Sequence, residues 1–308
     1  MPPARKPRGA AKVACVGIAV LDRVYLFDTL PLLPGKHIAR GYRENGGGMA
    51  ANAAVSIVAL GGAAEWCGRR GDDAPGATLL RMLRRHGVGT AGVTMAAGAC
   101  SPTSGILLDT EGERLLAVHP GENLPEDAPI PAEALDGAGA VLADPRWIGG
   151  AERLFAAAAA RGIPRVLDAD ISPPGVLQRL VPLAEHVIFS ERGLAAFSGI
   201  ADPADGLAHA ARGVDATLAV TLGARGSLWW REGRTVAIPA PRVRAQDTTG
   251  CGDVFHGAYA LALAEGVAPP DAARFATAAA ALKATRGDGW AGMPDRAAVD
   301  ALLRAGWP

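Results

Sequence analysis

The stretch Asp247–Asp253 (DTTGCGD) carries the residue types best suited to phosphate chemistry. Gly250 and Gly252 stand where a helix is predicted to begin, so unpaired backbone N–H groups and the helix dipole would attract an anion there. Glycine also lets a phosphate approach the backbone closely. Asp253 lies about one turn inside that helix. Its carboxylate would either take a proton from an attacking hydroxyl or simply complement the helix N-terminus, and the local sequence leaves both interpretations open.

The same stretch differs from the two commonest nucleotide-binding motifs. The chain contains no GxxxxGK[ST] sequence, which disfavours a P-loop enzyme. Phe255 stands where GxGxxG requires its last glycine. Near the N-terminus, the segment 17–19 lacks the second glycine of a pyrophosphate-binding turn. The sequence therefore disfavours a dinucleotide-dependent oxidoreductase.

Strands and helices alternate along most of the chain, which predicts an α/β fold whose parallel sheet is covered by helices on both faces. The predicted strands are 13–18, 63–68, 140–143, 165–168, 187–190 and 217–222. The predicted helices are 50–60, 75–86, 151–161, 207–212, 251–265 and 271–285. Glycines 46–48 form a turn that leads into the first of these helices.

Two pairs of short β-like segments are each joined by a Glu-Gly turn, which predicts hairpins for 104–109 with 114–119 and for 227–231 with 235–238. The first hairpin is predicted to form a small β lid beside the main domain, and we assign this lid to about 33–45 and 103–120. Residues 13–308 are expected to form one α/β domain that carries the lid. Residues 1–12 are expected to be a flexible leader.

Composition and charge narrow the class of protein further. The 308 residues suffice for one large or two modest domains. Thirty-one Lys and Arg balance 31 Asp and Glu, so the chain lacks the basic excess of a dedicated nucleic-acid binder. No apolar run is long enough to span a membrane, and a secretory signal is not expected. The four cysteines show no CxxC spacing, which argues against zinc and disulfides, so we expect a cytoplasmic protein without nucleic-acid or membrane partners.

Five short blocks, in their order along the chain, resemble the ribokinase/PfkB family of sugar kinases. They are Gly17 to Asp22, Gly47–Asn52, Cys67–Asp73, Thr221–Gly226 and Asp247–Asp253, the last with Cys251 in place of the usual alanine. The resemblance runs from about residue 13 to 294 and is closest to ketohexokinase-like and sulfofructose kinase-like members. It implies the ribokinase-like fold, a central and mostly parallel sheet flanked by helices with a small β-sheet lid. It also implies an enzyme that uses ATP and Mg²⁺.

The resemblance assigns roles in phosphoryl transfer. Asp253 would deprotonate a sugar hydroxyl, which attacks the γ-phosphate of ATP. The backbone N–H groups of Gly250, Cys251 and Gly252 would stabilise charge on the transferred group. The residues implied for ATP binding are Ser190, Thr221, Gly223, Gly226 and Thr249. Many relatives carry Asn-x-x-Glu at positions 190–193, where this chain has Ser-Glu-Arg-Gly, so water and other acids are expected to hold Mg²⁺.

The resemblance also implies a sugar site. Asp22 would accept hydrogen bonds from two sugar hydroxyls, because a carboxylate has several lone pairs to offer a diol. Asn52 and the backbone of Gly47 and Gly48 would face the same sugar. In the alternative interpretation, Asp22 is a surface acid paired with Arg23 at a strand end, and the glycines form a plain turn.

Two cations suggest the class of sugar. Arg146 follows a predicted strand end, where ligands of parallel sheets collect, and with Lys36 it would bind a sulfonate or phosphate at the far end of a ketose. The alternative is that both are solvated surface charges. The predicted substrate is a ketose such as 6-deoxy-6-sulfofructose, phosphorylated at C1. Fructose, another ketohexose, another PfkB sugar or a nucleoside is the alternative substrate, and a sugar-binding relative without catalysis is the alternative function.

The remaining predictions concern a cation, a thiol and the oligomeric state. Asp247, Arg286 and Gly289 would frame a monovalent-cation site such as the K⁺ site of several relatives, or they are plain loop residues. Cys251 is a small substitute for alanine or a thiol activated by the helix N-terminus. His256 is expected to be structural. In relatives the lid strands often pair between subunits, and an exposed β edge seeks a partner, so we expect a homodimer through the lid.

Overall fold

The computed structural model describes residues 10–31 and 33–307. Residues 1–9 of the predicted leader lie outside the described residues. Lys12, the last residue of the predicted leader, is the first residue of a strand. Every helix in the described ranges is too short or too polar to cross a bilayer.

The described residues form thirteen strands. They are β1 (Lys12–Val16), β2 (Val20–Leu26), β3 (Gly41–Gly47), β4 (Ala63–Gly71), β5 (Val93–Ala96), β6 (Thr103–Leu108), β7 (Arg114–His119), β8 (Ala138–Ala143), β9 (Arg165–Ala169), β10 (His186–Ser190), β11 (Thr217–Thr221), β12 (Ser227–Arg231) and β13 (Arg234–Ile238). Nine of them form one sheet in the order β13-β12-β11-β10-β9-β8-β1-β4-β5. Its strands are parallel except at the β12 and β13 hairpin, which confirms the predicted, mostly parallel sheet.

Two helical layers cover this sheet. The helices are α1 (Met49–Ala59), α2 (Ala74–Arg85), α3 (Ile148–Ala159), α4 (Val176–Leu180), α5 (Glu191–Ser198), α6 (Pro203–Ala210), α7 (Cys251–Ala264), α8 (Pro269–Ala284) and α9 (Arg296–Ala305). Side chains of α1, α2, α7, α8 and α9 share one core with one face of the sheet, and those of α3 to α6 share a second core with the other face. Because both faces are covered, the central strands consist of unbroken apolar runs such as β1.

Helix α7 is buried along most of its length. Residues 254–262 are all buried, since the helix lies between the sheet, α1 and α8. Alanines dominate the facing helices α1 and α8, and their small side chains let the three backbones approach closely. This packing fixes the N-terminus of α7 beside the carboxyl ends of the central strands, where the motif Asp247–Asp253 leads into the helix.

A smaller, four-stranded sheet has the order β3-β2-β6-β7. Strand β2 was not among the predicted elements, because Asp22 and Arg23 interrupt its apolar run. Residues 33–40 lie in no regular element, so the predicted lid segment 33–45 becomes a strand only from Gly41. Hairpin β6–β7 forms as predicted, with Leu108 opposite Arg114 at its closed end.

The two sheets meet where the strand order of the large sheet reverses. Strand β1 lies between β4, which follows it through β2, β3 and α1, and β8, which begins the other half of the sheet. In open α/β sheets, ligands bind outside the carboxyl ends of strands at such a reversal. The small sheet faces this edge, so the topology alone indicates where a site should form.

Candidate active site

A cleft of about 910 Å³ lies between the small sheet and the carboxyl edge of the large sheet. The predicted site residues that line it are Asp22, Gly47, Gly48, Asn52, Arg146, Asp247, Thr249, Gly250, Asp253 and Gly289. These residues come from the small sheet, from the turn after β8, from the starts of α1 and α7 and from the loops that precede α7 and α9. The cleft therefore collects residues that lie more than 200 positions apart in the chain.

Asp253 is held in the cleft by a chain of side-chain hydrogen bonds. Asn52 donates from Nδ2 to Oδ2 of Asp253 over 2.6 Å. Trp290 donates from Nε1 to Oδ1 of Asn52 over 2.6 Å, which fixes which end of the amide faces the carboxylate. The ring of Trp290 lies against Gly46, where a β-carbon would come within 2.2 Å of it. Trp290 was not among the predicted residues, because nothing in its local sequence marks it.

The turn before α7 presents free backbone donors. Gly250 has a left-handed φ of +74° and is the N-cap of the helix. In the described part of the chain, the N–H groups of Gly250, Gly252 and Asp253 find no protein acceptor. The N–H of Cys251, predicted as a third donor, is instead donated to the carbonyl of Thr248 over 3.3 Å. Three unpaired amides at a helix N-terminus remain for an anion.

Burial and, after it, the negative charge of Asp168 raise the pKa of Asp253 to about 7, against the opposing effect of the hydrogen bond from the Asn52 amide. A carboxyl group with this pKa is well matched to general-base catalysis near neutral pH. His256 is buried one turn along α7, with Nδ1 2.7 Å from the carbonyl oxygen of Gly252 and 3.2 Å from Oδ2 of Asp168. Burial lowers the pKa of His256.

Asp22 lies on the inner face of the small sheet. It stands opposite Asn45 of β3 and Ser104 of β6, and Ser104 donates its hydroxyl to Oδ1 of Asp22. Burial raises the pKa of Asp22, while the Ser104 hydrogen bond lowers it. A β-carbon on Gly47 would come within 2.2 Å of Oδ2 of Asp22, so only glycine leaves this oxygen in place. Asp22 is thus a cleft residue and forms no surface ion pair with Arg23, which pairs with Glu44.

Asp144 holds in place the backbone segments that surround the cleft. It is buried at the carboxyl end of β8 and accepts the backbone N–H groups of Ile18, Ala50 and Arg146 at 2.9, 3.0 and 2.8 Å. These bonds join the end of β1, the start of α1 and the turn after β8. Burial raises the pKa of Asp144 to about 6, although the three N–H groups oppose this shift. Sequence reasoning missed this acid because its partners are all backbone groups.

Several predicted residues do not line the cleft. Lys36 is exposed on the loop that precedes β3 and lies outside the cleft lining, so the structure does not bring it together with Arg146. Ser190 caps α5 through the N–H of Gly193 and donates to Oδ1 of Asp170 over 2.7 Å. The other predicted residues outside the lining are Thr221, Gly223, Gly226, Cys251, Gly252 and Arg286.

The residues that were predicted to bind ATP but do not line the cleft lie along the same edge of the large sheet as the cleft. Ser190 ends β10, and Thr221 ends β11, the next strand of the sheet. Gly223 and Gly226 form a short helical turn directly after β11. The carboxyl ends of these neighbouring parallel strands therefore extend the edge that carries Asp253.

Two arginines of the small sheet line the cleft and were not predicted. Arg43 of β3 pairs with Asp288 over 3.2 Å, and Arg114 of β7 donates to the hydroxyl of Thr249 and lies 3.9 Å from Asp247. Each arginine joins the small sheet to a loop of the main domain. Exposed and half-buried residues alternate along β3, so this period could have identified Arg43 once the strand was known, whereas every residue of β7 is exposed and Arg114 has no such signal.

The described residues contain no group of three or more His, Cys, Asp or Glu that could hold a metal ion. A magnesium ion in this cleft would therefore be bound mainly by nucleotide phosphates and water, as Mg²⁺ prefers. Burial raises the pKa of Cys251 to about 11, which disfavours an activated thiol and leaves it as a small substitute for alanine.

Comparison with known proteins identifies relatives along almost the whole chain. The profile of the pfkB family carbohydrate kinases matches residues 10–296. The ribokinase of Bacillus subtilis is 29% identical over 297 residues, which cover 94% of this chain and 99% of that protein. Fructokinase-1 of Oryza sativa is 27% identical over 314 residues, which cover 91% and 95%.

Solved structures agree with the sequence matches. A protein from Agrobacterium tumefaciens that carries the provisional name ribokinase is 36% identical, with a TM-score of 0.92 over 96% of this chain and 98% of that one. Ribokinase of Arabidopsis thaliana, solved with ribose and ATP, is 25% identical, with a TM-score of 0.84 over 96% and 99%. The chain therefore belongs to the pfkB family of carbohydrate kinases, has the ribokinase fold and is an ATP-dependent sugar kinase.

Proposed function

We propose that this enzyme transfers the γ-phosphate of ATP to the C1 hydroxyl of a ketose. The observation that carries the proposal is the position of Asp253, a half-buried carboxylate in the cleft beside three unpaired amides and tied to Asn52. A base and an anion site within one helical turn are what phosphoryl transfer to an alcohol requires.

The transfer step uses both parts of this turn. Asp253 takes the proton of the sugar hydroxyl as its oxygen attacks the γ-phosphorus, and the bond from that phosphorus to the bridging oxygen of ADP breaks. The N–H groups of Gly250 and Gly252 donate to the transferred group, whose charge they offset without having to reorient. Asn52 leaves Oδ1 of Asp253 for the substrate because it occupies Oδ2.

The sugar lies between Asp253 and Asp22 in this proposal. Asp22 accepts hydrogen bonds from two neighbouring hydroxyls, and Ser104 holds the carboxylate in place. Asn45 stands beside Asp22 on the same inward-facing row of the small sheet. The small sheet then acts as a lid, since Arg43 and Arg114 join it to the loops around the site.

Arg146 supports a substrate with an anionic far end, such as 6-deoxy-6-sulfofructose. Its guanidinium lines the cleft, donates to the carbonyl of Ile171 over 2.9 Å and lies 3.4 Å from Asp170. An arginine has five N–H donors, so donors remain for a sulfonate or phosphate. The exposed position of Lys36 favours the second candidate, fructose or another uncharged sugar, because it removes one of the two predicted cations.

ATP and Mg²⁺ complete the proposed reaction. The nucleotide lies along the carboxyl ends of β10 and β11, beside Ser190, Thr221, Gly223 and Gly226. Mg²⁺ supplies charge neutralisation on the phosphates when it is bound. Asp170, which lines the cleft after β9, is placed to reach the ion through water.

A panel of sugars tests the proposal. ADP release is measured with Mg-ATP and 6-deoxy-6-sulfofructose, fructose, tagatose, ribose or adenosine. We expect the highest kcat/KM with the sulfonated ketose, and Arg146→Met should lower kcat/KM for that sugar more than for fructose. An equal loss for both sugars would mean that Arg146 does not recognise the sulfonate, and a higher kcat/KM for fructose would make fructose the better substrate. Turnover of adenosine alone would overturn the sugar assignment.

A further inference from the structure

Lys283 is a buried cation beside the active-site cleft. It lies in the last turn of α8, its exposed fraction is 1%, and it is among the residues that line the cleft. None of the ion pairs found in the described ranges includes it. Its Nζ donates to the backbone carbonyl of Arg286 over 3.3 Å. A charge this deeply buried requires compensation from its surroundings.

The backbone around Lys283 supplies that compensation. The last carbonyls of a helix carry partial negative charge, which favours a cation in the last turn. The chain then bends back, because the N–H of Arg286 donates to the carbonyl of Lys283 over 3.0 Å. The loop before the anion-binding turn rests on the same helix end, since Gln246 and Asp247 both donate to the carbonyl of Ala284.

The charge of Lys283 reaches the phosphate-binding turn. It lowers the pKa of the Cys251 thiol, against the stronger effect of burial, and Cys251 is the first residue of α7. Asp247 and Gly289, two of the three residues predicted to frame a monovalent-cation site, line the cleft together with Lys283. The third, Arg286, contributes the carbonyl that the ammonium already occupies.

A monovalent metal ion does not fit this arrangement. Such an ion is held by several oxygen ligands, and backbone carbonyls are typical of them. Here the carbonyl oxygen of Arg286 accepts a hydrogen bond from Nζ of Lys283, and the ammonium brings the same single positive charge that the ion would bring.

We propose that the side chain of Lys283 replaces the monovalent cation, so that this kinase carries its activating charge in its own sequence and works without K⁺. The inference rests on the proposed function, since the charge supports the turn that binds the transferred phosphoryl group. The ammonium lies at the helix end on which the loop before that turn rests, and it stabilises the turn and the phosphate charge, while Asp253 and the free amides act on the reacting atoms.

The test compares cations on the full-length enzyme. Initial rates with the best sugar and Mg-ATP are measured in tetramethylammonium, sodium or potassium chloride at equal ionic strength. We expect the wild-type rate to change less than about twofold between these salts. Lys283→Met should lower kcat about 10²-fold or more, a loss of the size seen when one charge-stabilising donor is removed, and K⁺ should restore at least about a tenth of the lost rate. Lys12→Met is the control and should behave as wild type, because Lys12 lies at the start of β1, outside the cleft, where its Nζ donates to the carbonyl of Asp136.

Melting temperatures provide a second measurement, which does not depend on which sugar is the substrate. In the presence of Mg-ATP, K⁺ should raise the melting temperature of Lys283→Met and leave that of the wild type unchanged relative to tetramethylammonium. If no sugar is turned over, the proposed function fails while this comparison still decides the role of Lys283. If the methionine variant does not fold, the wild-type salt series decides alone. Activation of the wild type by K⁺ of tenfold or more, or a variant that K⁺ does not rescue, would overturn the proposal.

Discussion

Asn52 and Asp253 form a 2.6 Å hydrogen bond between the first turn of α1 and the first turn of α7. The bond joins two helices that begin after a glycine, one after Gly48 and one after Gly250. It gives Asn52 a role that sequence reasoning did not assign to it, because the amide orients the base and does not serve the sugar alone. The carboxylate at the centre of the proposed mechanism is therefore held in one geometry before any substrate binds.

Asp253→Asn tests the role of the base. The substitution keeps the size of the side chain and removes its ability to take a proton, so kcat should fall about 10²–10⁴-fold, the usual contribution of general-base catalysis. ADP release at saturating sugar and ATP measures it. The matched control is Asp271→Asn, an exposed acid in the first turn of α8, which should keep its rate. Equal, small losses in both variants would mean that Asp253 only complements its helix.

The rate should depend on pH through Asp253. Burial raises its pKa from about 3.8 to about 7, so the carboxyl group keeps its proton, and cannot act as a base, until the pH approaches 7. We expect kcat/KM for the sugar to rise with pH and level off about one unit above that pKa. A pH series at saturating Mg-ATP measures this. The residual rate of Asp253→Asn should be flat over the same range, whereas a matching rise would assign the titration to another group.

Trp290→Phe tests the chain of hydrogen bonds behind the base. Phenylalanine keeps a ring against Gly46 and removes the donor that orients Asn52. Loss of one such bond should lower kcat about two- to tenfold. Because the Asn52 amide lowers the pKa of Asp253, a less ordered amide should also shift the rise in the pH profile upward.

The control for this substitution is Trp307→Phe. Trp307 donates its indole N–H to the carbonyl of Pro239, outside the cleft, over 2.7 Å. It should leave both kcat and the pH profile unchanged. A Trp290→Phe variant with a lower kcat and an unmoved pH profile would show that Trp290 shapes the cleft without acting on Asp253.

Much of the fold could be predicted from the sequence, because apolar runs and glycine turns are local signals. The parallel strands other than β5, the helices α7 and α8 and the hairpin β6–β7 all follow from such patterns. Strand β2 could not be predicted in the same way. Its central Asp22 and Arg23 break the apolar run, and only pairing with β3 and β6 makes it a strand.

The site residues also divide into those that a local sequence pattern predicts and those that only contacts between distant residues reveal. Asp22, Asn52 and Asp253 belong to short motifs with glycines beside them. They could therefore be identified as site residues from the sequence alone. Trp290 and Asp144 act through contacts with residues 94 to 238 positions away, which no local pattern reveals. Lys36 was predicted by its charge alone, and the path of the loop before β3 leaves it exposed.

Gly47→Ala tests the close approach of the backbone to Asp22. The new β-carbon would lie 2.2 Å from Oδ2 of Asp22, so the carboxylate must move. We expect KM for the sugar to rise about tenfold or more, while KM for ATP changes little, since Asp22 faces only the sugar in the proposed mechanism. Gly105→Ala is the control, because a β-carbon on Gly105 of β6 meets nothing within 4 Å. If both variants behave alike, the small sheet tolerates the change and Asp22 does not bind the sugar.

Leu115→Glu tests the expected homodimer. Tyr42, Tyr25, Leu107 and Leu115 stand opposite one another across the four strands of the small sheet, on the face turned away from the cleft. The two tyrosine rings lie 5.1 Å apart, and Leu115 and Tyr42 are 45% and 53% exposed, so a row of apolar side chains faces solvent beside two open strand edges.

Light scattering during size exclusion should show a dimer for the wild type and a monomer for Leu115→Glu, because a buried, unpaired carboxylate strongly opposes association. Leu183→Glu, an exposed leucine on the main domain, should remain a dimer. If the dimer positions the lid over the cleft, the monomeric variant should also show a higher KM for the sugar. A wild-type protein that is monomeric at micromolar concentration would contradict the expectation, whatever the variants do.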